Sequence, residues 1–453
     1  MLVHSGYSSG SHPENFIPAR TTFPSEALNK RDANKKTRDN SSTSEIPANP
    51  KSESPSGTPL GWIPNYPSYI RRAQWRLQNC SLAKALPTGF PARVDSPLAW
   101  TGSELEKEEY TIPLSGEDIL EIERGLRDFK ESKLPISLIT RQTFRLPTLG
   151  PRLVSLGVSL YHGRGFFVLR GLNPKKYSSE ENVLIYVGIS CWVAEKRGRQ
   201  DEHNNMLCGG SFSVQCIKPE RASVAPDSVR QAPYSNVQQP YHTDIGDILA
   251  LYTLGQAYKG GRSKLASTGA IYNELAETRP DHIDTLQSPE WIFDTFGRAG
   301  EPYYKRPLLF NQDGKVVFAF SRRILTGSEV SPRTKGIPEM TDAQADALDA
   351  VHFTADKHAL TLDDGQLGDI LFWNNMSIVH ARQGFVDGGP MDQKRHLLRL
   401  WLRNELAWET PEVLRSAWNV AYGSEDVSEE QWPIEPITDR DHVTTQRRSS
   451  GHG

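Results

Sequence analysis

The sequence predicts a mainly β, α+β fold with a β-barrel or sandwich core and helices packed outside it. Two observations carry the prediction. Short apolar or alternating runs bounded by Gly, Asn or Asp recur through the second half of the chain, and capped helical patterns flank them. No internal repeat divides the chain. At 453 residues, 37% hydrophobic and 24% charged, it has ample material for a large core.

In chain order, residues 1–58 are rich in Ser, Pro, Asn, Lys and Asp and poor in aliphatics, so they read as a disordered arm. Residues 59–437 read as a single domain, with a wrapping segment and helices over 59–164 and a strand-rich core over about 165–408. Trp62 to Leu98 is proline-punctuated and aromatic, a wrapping arm rather than regular structure. Ser115-Gly116-Glu117-Asp118 starts a helix with a capping carboxylate, and Ile119, Ile122, Leu126 and Phe129 follow at helical spacing. A second helix covers Leu153 to Tyr161. Phe166 to Arg170, apolar between Gly165 and Gly171, is a buried strand. Ser178 to Trp192 is a helix capped by Ser178 or Ser179.

Strands then dominate: Ser211 to Ile217, Ile248 to Leu254, Lys315 to Phe320 after an Asp313-Gly314 turn, Gly368 to Trp373, and the alternating Arg395 to Arg403. Thr341-Asp342-Ala343-Gln344 opens a helix to about His358 by a capping-box pattern. Residues 438–453 form a disordered tail.

Composition excludes several classes. With 52 basic and 55 acidic side chains, the chain carries no overall signal for nucleic acid or an anionic membrane. No apolar run approaches the ~20 residues that span a bilayer. The four cysteines form no CxxC pair, which argues against a disulfide scaffold or a cysteine zinc site and for a reducing, cytoplasmic setting. The amino terminus lacks the apolar stretch of a signal peptide.

Histidines carry the chemistry. Two His and one carboxylate can bind one face of an octahedral iron, given an HxD pair and a distant His. On a strand, HxD puts both side chains on one face, with Cα atoms about 6–7 Å apart. Three histidines head an Hx[DE] triplet: His12/Glu14, His242/Asp244 and His282/Asp284. His12 lies in the arm. His282 sits in a helical pattern, where the pair would diverge by roughly 200°. His242-Thr243-Asp244 lies before the strand from Ile248, after a long polar loop, as a ligand pair or a surface His-Asp pair. His380 follows an Asn374-Asn375 turn, just inside a strand, as the distant ligand or a core histidine. Period two puts Arg395, Leu397, Arg399, Trp401 and Arg403 on one strand face. Arg395 and Arg399 suit carboxylate anchoring, whereas Arg403 reads as solvent-facing.

In this order and context, His242-x-Asp244, His380 and Arg395 resemble the TauD/TfdA (taurine dioxygenase and clavaminate synthase-like) family of iron(II)/2-oxoglutarate-dependent dioxygenases. Gly260-Gly261-Arg262-Ser263 is similar to the family's GG-x-[TS] segment, and Gly368-Asp369 and His380-Ala381-Arg382 extend the match from Phe166 to Trp408. The spacing to Arg395, lengthened by the polar insert Asp387 to Asp392, resembles the clavaminate synthase variant. The whole is similar to the large, fungal-type branch, where secondary metabolism is a common setting.

The resemblance implies a double-stranded β-helix (jelly-roll) core. It implies that His242, Asp244 and His380 hold Fe(II), that Arg395 and Ser263 receive the distal carboxylate of 2-oxoglutarate, and that Arg399 faces an anionic small-molecule substrate or the cosubstrate. The implied reaction consumes O2 and 2-oxoglutarate, releases succinate and CO2, and oxidises a substrate C–H bond: hydroxylation is the usual outcome, with desaturation, epoxidation or ring formation as variants. Asp244 argues against halogenation, because the family's halogenases lack that carboxylate. Among aromatics, Tyr241, Trp373 and Phe385 stand near the inferred site, and residues 218–240 form either a lid or a passive loop. Two other readings stay open: a zinc hydrolase using the same ligands, which would not need Arg395 and lacks an HExxH base, and a catalytically silent scaffold.

Overall fold

The structure is a computed structural model that describes residues 60–432 except 202–203, 211–234, 298–299, 330, 363–364, 390–392 and 425, with backbone alone at 208–210. The expected arm at 1–58 with its His12/Glu14 triplet, the tail at 438–453, the strand Ser211 to Ile217 and most of the loop 218–240 lie outside the described residues. The described residues all belong to one compact unit, Ser54–Gly453.

Two sheets form the core. Strands β1 (Thr111–Pro113), β2 (Phe166–Arg170), β3 (Lys196–Gly198), β4 (Cys208–Gly210), β5 (Gln239–His242), β6 (Ile248–Gly255), β7 (Ser263–Ser267), β8 (Leu360–Thr361), β9 (Ile370–Asn374), β10 (Ile378–Arg382) and β11 (His396–Arg403) make them up. The larger sheet runs β1-β2-β9-β6-β11-β3, with β4 also on β11; the smaller runs β8-β7-β10-β5. All β9 residues are buried because helices cover the outer face of this sheet while its inner face turns to the other. The turn into β9 requires Gly368, at φ 91°, where a Cβ would lie 1.9 Å from the Leu172 carbonyl oxygen.

Helices α1 (Tyr66–Asn79), α2 (Gly116–Ser132), α3 (Leu149–His162), α4 (Ser179–Val193), α5 (Thr268–Thr278), α6 (Pro280–Gln287) and α7 (Asp342–His358) pack around these sheets. Capping boxes close the starts of α2 (Ser115 with Asp118), α4 (Ser178 with Glu181) and α7 (Thr341 with Gln344), as their sequences predict. The α4 helix is apolar on nearly every side and is buried accordingly. Asp313 and Gly314 both have positive φ, the conformation of a tight hairpin turn between antiparallel strands.

One expectation fails. Trp62 to Leu98 is not a purely irregular arm, because it contains α1. Asn65 caps that helix by accepting from the Ser68 N–H at 3.0 Å, and a proline stands in its first turn. Its buried face carries Arg72, Ala73 and Arg76 instead of an aliphatic stripe. The two arginines are neutralised by Asp349 and by Asp346 with Asp281, so apolar periodicity could not reveal the helix. No helix among the described residues is long and apolar enough to cross a membrane.

Candidate metal centre

The smaller sheet brings the two histidines together. His380, at the middle of β10, pairs in register with His242, the last residue of β5, and their ring centroids lie 4.2 Å apart. Strand β5 ends there, so Asp244 lies beyond it and the expected single-strand HxD pair is not formed. The bend is fixed by polar contacts. Thr243 N–H donates to the Phe320 carbonyl at 3.0 Å, and the Phe320 N–H donates to the Thr243 hydroxyl at 3.1 Å. Asn375 accepts from the Asp244 N–H at 3.1 Å and donates to the Asp244 and Gly246 carbonyls at 2.7 and 2.9 Å.

The donor set fits a divalent metal. His242 Nδ1 lies 2.9 Å from the Pro240 carbonyl. A carbonyl only accepts, so this contact puts the proton on Nδ1 and leaves the Nε2 lone pair for a metal. His242 Nε2 stands 3.7 Å from Asp244 Oδ1, and one ligand atom from each of His242, Asp244 and His380 lies within 4.8 Å of the others. Burial lowers the pKa of His242 and takes His380 down to about 3, so both imidazoles are neutral, as metal ligation requires. Two imidazoles and a carboxylate are the iron-binding set of non-heme oxygenases.

A cavity of about 120 Å³ opens on this cluster, lined also by Trp373, Arg399, Arg395 and Ser263. Arg395 is 8% exposed. Burial draws its guanidinium down to about 10, against the opposing pull of Asp387, and it stays cationic at neutral pH. Phe385 lies 5.6 Å below that guanidinium. Gly261, at φ 80°, lets the Arg395 side chain pass, since a Cβ there would sit 3.0 Å from its Cδ.

Residues 130–401 match the family described as "Taurine catabolism dioxygenase TauD, TfdA family". A taurine hydroxylase-like protein of Stachybotrys chartarum is 35% identical over 350 residues, spanning 76% of this chain and 89% of that one. The chain belongs to the TauD/TfdA family. It is thereby an iron(II)/2-oxoglutarate-dependent dioxygenase with a jelly-roll core. The FR-33289 synthase of Streptomyces rubellomurinus is 25% identical over 324 residues, 70% of this chain and 91% of that one. Among solved structures, an asparagine oxygenase with Fe(II), hydroxyasparagine and succinate is similar at TM-score 0.48 and 14% identity, covering 65% of this chain and 93% of that one. The non-heme iron oxygenase OrfP with iron, succinate and (3S)-hydroxy-L-Arg has TM-score 0.48 at 15% identity, covering 71% and 99%.

Within this TauD/TfdA chain the other expected residues fall into place unevenly. Arg399 lines the metal cavity, but its Nη1 donates to Asp244 Oδ2 and its Nε donates to Gln200 Oε1 at 2.9 Å. Arg403 is half-buried and not a free surface charge: it pairs at 3.1 Å with Asp247, which is wholly buried. Tyr241 is turned to the helices, donating to Asp356 at 3.1 Å, and does not line the cavity. Trp373 both lines the cavity and packs edge-on against His380 at 5.0 Å. Sequence reasoning missed Gln200, which also donates to the Met206 and Arg399 carbonyls at 2.8 and 2.7 Å and holds Arg399 in place. It had no signal, because a lone Gln far from β11 carries no pattern. Rejecting His282/Asp284 as a pair agrees with the helical position of both in α6, yet His282 gathers with Asp281 and Asp346 into a second compact group.

Proposed function

We propose that His242, Asp244 and His380 hold iron(II) and that Arg395, with the Ser263 hydroxyl, receives the distal carboxylate of 2-oxoglutarate. The observation that carries this reading is one cavity lined at once by three converging ligand residues and by a buried cationic Arg395. When bound, iron with 2-oxoglutarate and O2 would supply oxidative decarboxylation to succinate and CO2, coupled to oxidation of a substrate C–H bond by the second oxygen atom.

The chain's own residues set the conditions. His242 is oriented by its Nδ1 contact with Pro240, and Asp244 by Asn375 and Arg399. Arg399 donates to Oδ2 of Asp244, while Oδ1 stands 3.7 Å from His242 Nε2. Trp373 and the leucines of β6, β9 and β11 keep water from the reacting centre. We assign the substrate as a small molecule with one anionic group, a carboxylate or sulfonate, facing Arg399. Hydroxylation is the expected outcome. Free thiols at Cys80 and Cys191 support a reducing, cytoplasmic setting.

The test is the visible spectrum of purified protein with iron(II) and 2-oxoglutarate under anaerobic conditions. A weak charge-transfer band, absent in His242→Ala and weakened in Arg395→Ala, is the expected result. A well-folded protein with fully reduced iron and no band would overturn the assignment.

A further inference from the structure

Beyond Arg395 the barrel interior continues. A second cavity, about 310 Å³, is lined by none of His242, Asp244 and His380. Leu251, Ser263, Leu371, Arg395 and Leu397 line both cavities, so the two meet at the Arg395–Ser263 pair. The frame of the second cavity includes Gly255, Gly260, Gly261 and Gly365, positions with no side chain to close it. Its polar lining includes Lys107, Thr253 and Gln256, together with Arg170, which pairs bidentately with Asp369 at 2.9 and 2.7 Å. This pairing covers the one carboxylate among the described lining residues, so a dianion meets cationic and hydroxyl groups along this side. The metal cavity, at about 120 Å³, is the smaller of the two.

We propose that 2-oxoglutarate enters, and succinate leaves, through this second cavity. The inference rests on reading Arg395 and Ser263 as the distal-carboxylate site, which sets that carboxylate at the neck between the cavities.

The experiment follows the rise of the charge-transfer band after anaerobic stopped-flow mixing of the iron(II)-loaded full chain with 2-oxoglutarate. Gln256→Trp narrows the second cavity at a half-buried position. Lys107→Glu reverses a charge there. Gln239→Trp narrows the metal cavity only. Expected is a slowing of both association and dissociation by about tenfold in Gln256→Trp, with affinity nearly unchanged, because an obstructed route hinders both directions equally. Lys107→Glu slows association and weakens its salt dependence. Gln239→Trp leaves the rates as in the parent. Slowing by Gln239→Trp, with Gln256→Trp and Lys107→Glu at parental rates, overturns the route. If Gln256→Trp does not fold, Lys107→Glu decides alone. Arg395→Gln separates the two ideas: unchanged equilibrium affinity for 2-oxoglutarate refutes the carboxylate site, while the cavity variants still judge the route.

Discussion

Among the described residues, two histidine–carboxylate clusters are similarly compact, and their surroundings differ in what a metal would need. His242, Asp244 and His380 face a cavity, and Arg399 touches the carboxylate. Asp281, His282 and Asp346 meet the same distance criterion beneath α1. There, Arg76 and Arg279 each contact both Asp281 and Asp346, while Arg72 and Arg322 share the adjacent Asp349. Four guanidinium groups against three carboxylates leave the site positive with His282 neutral, and a cation would be repelled. None of its residues lines either cavity of the barrel. Distance alone therefore does not define a metal site. The number of guanidinium groups on each carboxylate, and access, separate a metal centre from a structural ion-pair network.

The sharpest way to break this comparison is to count iron. The anaerobically reconstituted protein should carry one iron(II) per chain after gel filtration. His242→Ala should lose it together with all turnover, whereas His282→Leu should keep it. Iron retained by His242→Ala, or lost from His282→Leu, would reverse the assignment of the two clusters.

The second cluster should show itself in stability instead. A hydrogen bond to a charged group is worth about 1.5–3 kcal/mol. Arg76→Ala removes the 2.7 Å partner of Asp346 while Arg279 stays on that carboxylate, so it should lower the urea midpoint by a corresponding amount. Arg415→Ala breaks an exposed pair with Glu409 and should cost less than about 1 kcal/mol. Equal effects would mean that the α1 network is not sealed.

Acid should probe the same cluster. Burial, reinforced by Arg279, holds the folded His282 ring down to about 4, against an ordinary 6.5. Between these values the unfolded chain binds a proton that the native state refuses. The contribution of His282 is thus complete above about 6.5 and drains away as the pH falls toward 4. At pH 5 the loss is about 2 kcal/mol relative to pH 7. His282→Leu should remove that part of the pH dependence in urea unfolding, leaving the shares from His352 and His380, which burial takes down to about 3, and from His396, taken down to about 4. A parental slope in His282→Leu would contradict a neutral buried ring.

These contrasts also explain what the sequence could reveal. The caps at Ser115, Ser178 and Thr341 and the apolar runs of β2, β6 and β9 act locally, so reading along the chain finds them. His242, Asp244, His380 and Arg395 were visible as chemistry at recognisable spacing. Contacts made by distant polar residues were not. Asn375 on the Asp244 bend and Gln200 on Arg399 each join segments more than 100 residues apart. Arg403 looked like a surface charge because its partner, Asp247, lies on another stretch of chain. The α1 helix was hidden for the same reason, since what it buries is charge matched elsewhere.

The smallest effect tests whether α1 belongs to the cooperative core at all. Asn65 supplies the only described side-chain cap of α1, at an exposed end with no acidic residue in the first turn. Asn65→Ala should cost about 1 kcal/mol, as loss of a cap does. Asn65→Asp keeps the acceptor and adds a negative charge that complements the helix dipole, so it should match or slightly exceed the parent. Both should leave iron content unchanged. The cap energy reaches the global midpoint only if α1 unfolds together with the barrel. The buried pairs of Arg72 and Arg76 with Asp349, Asp346 and Asp281 predict that it does. An unmoved midpoint in Asn65→Ala, combined with a large fall in Arg76→Ala, would mean that the cap frays locally while the arginines hold the rest of the helix. Two unmoved midpoints would mean that α1 separates first and the ion-pair network adds nothing to the stability of the core.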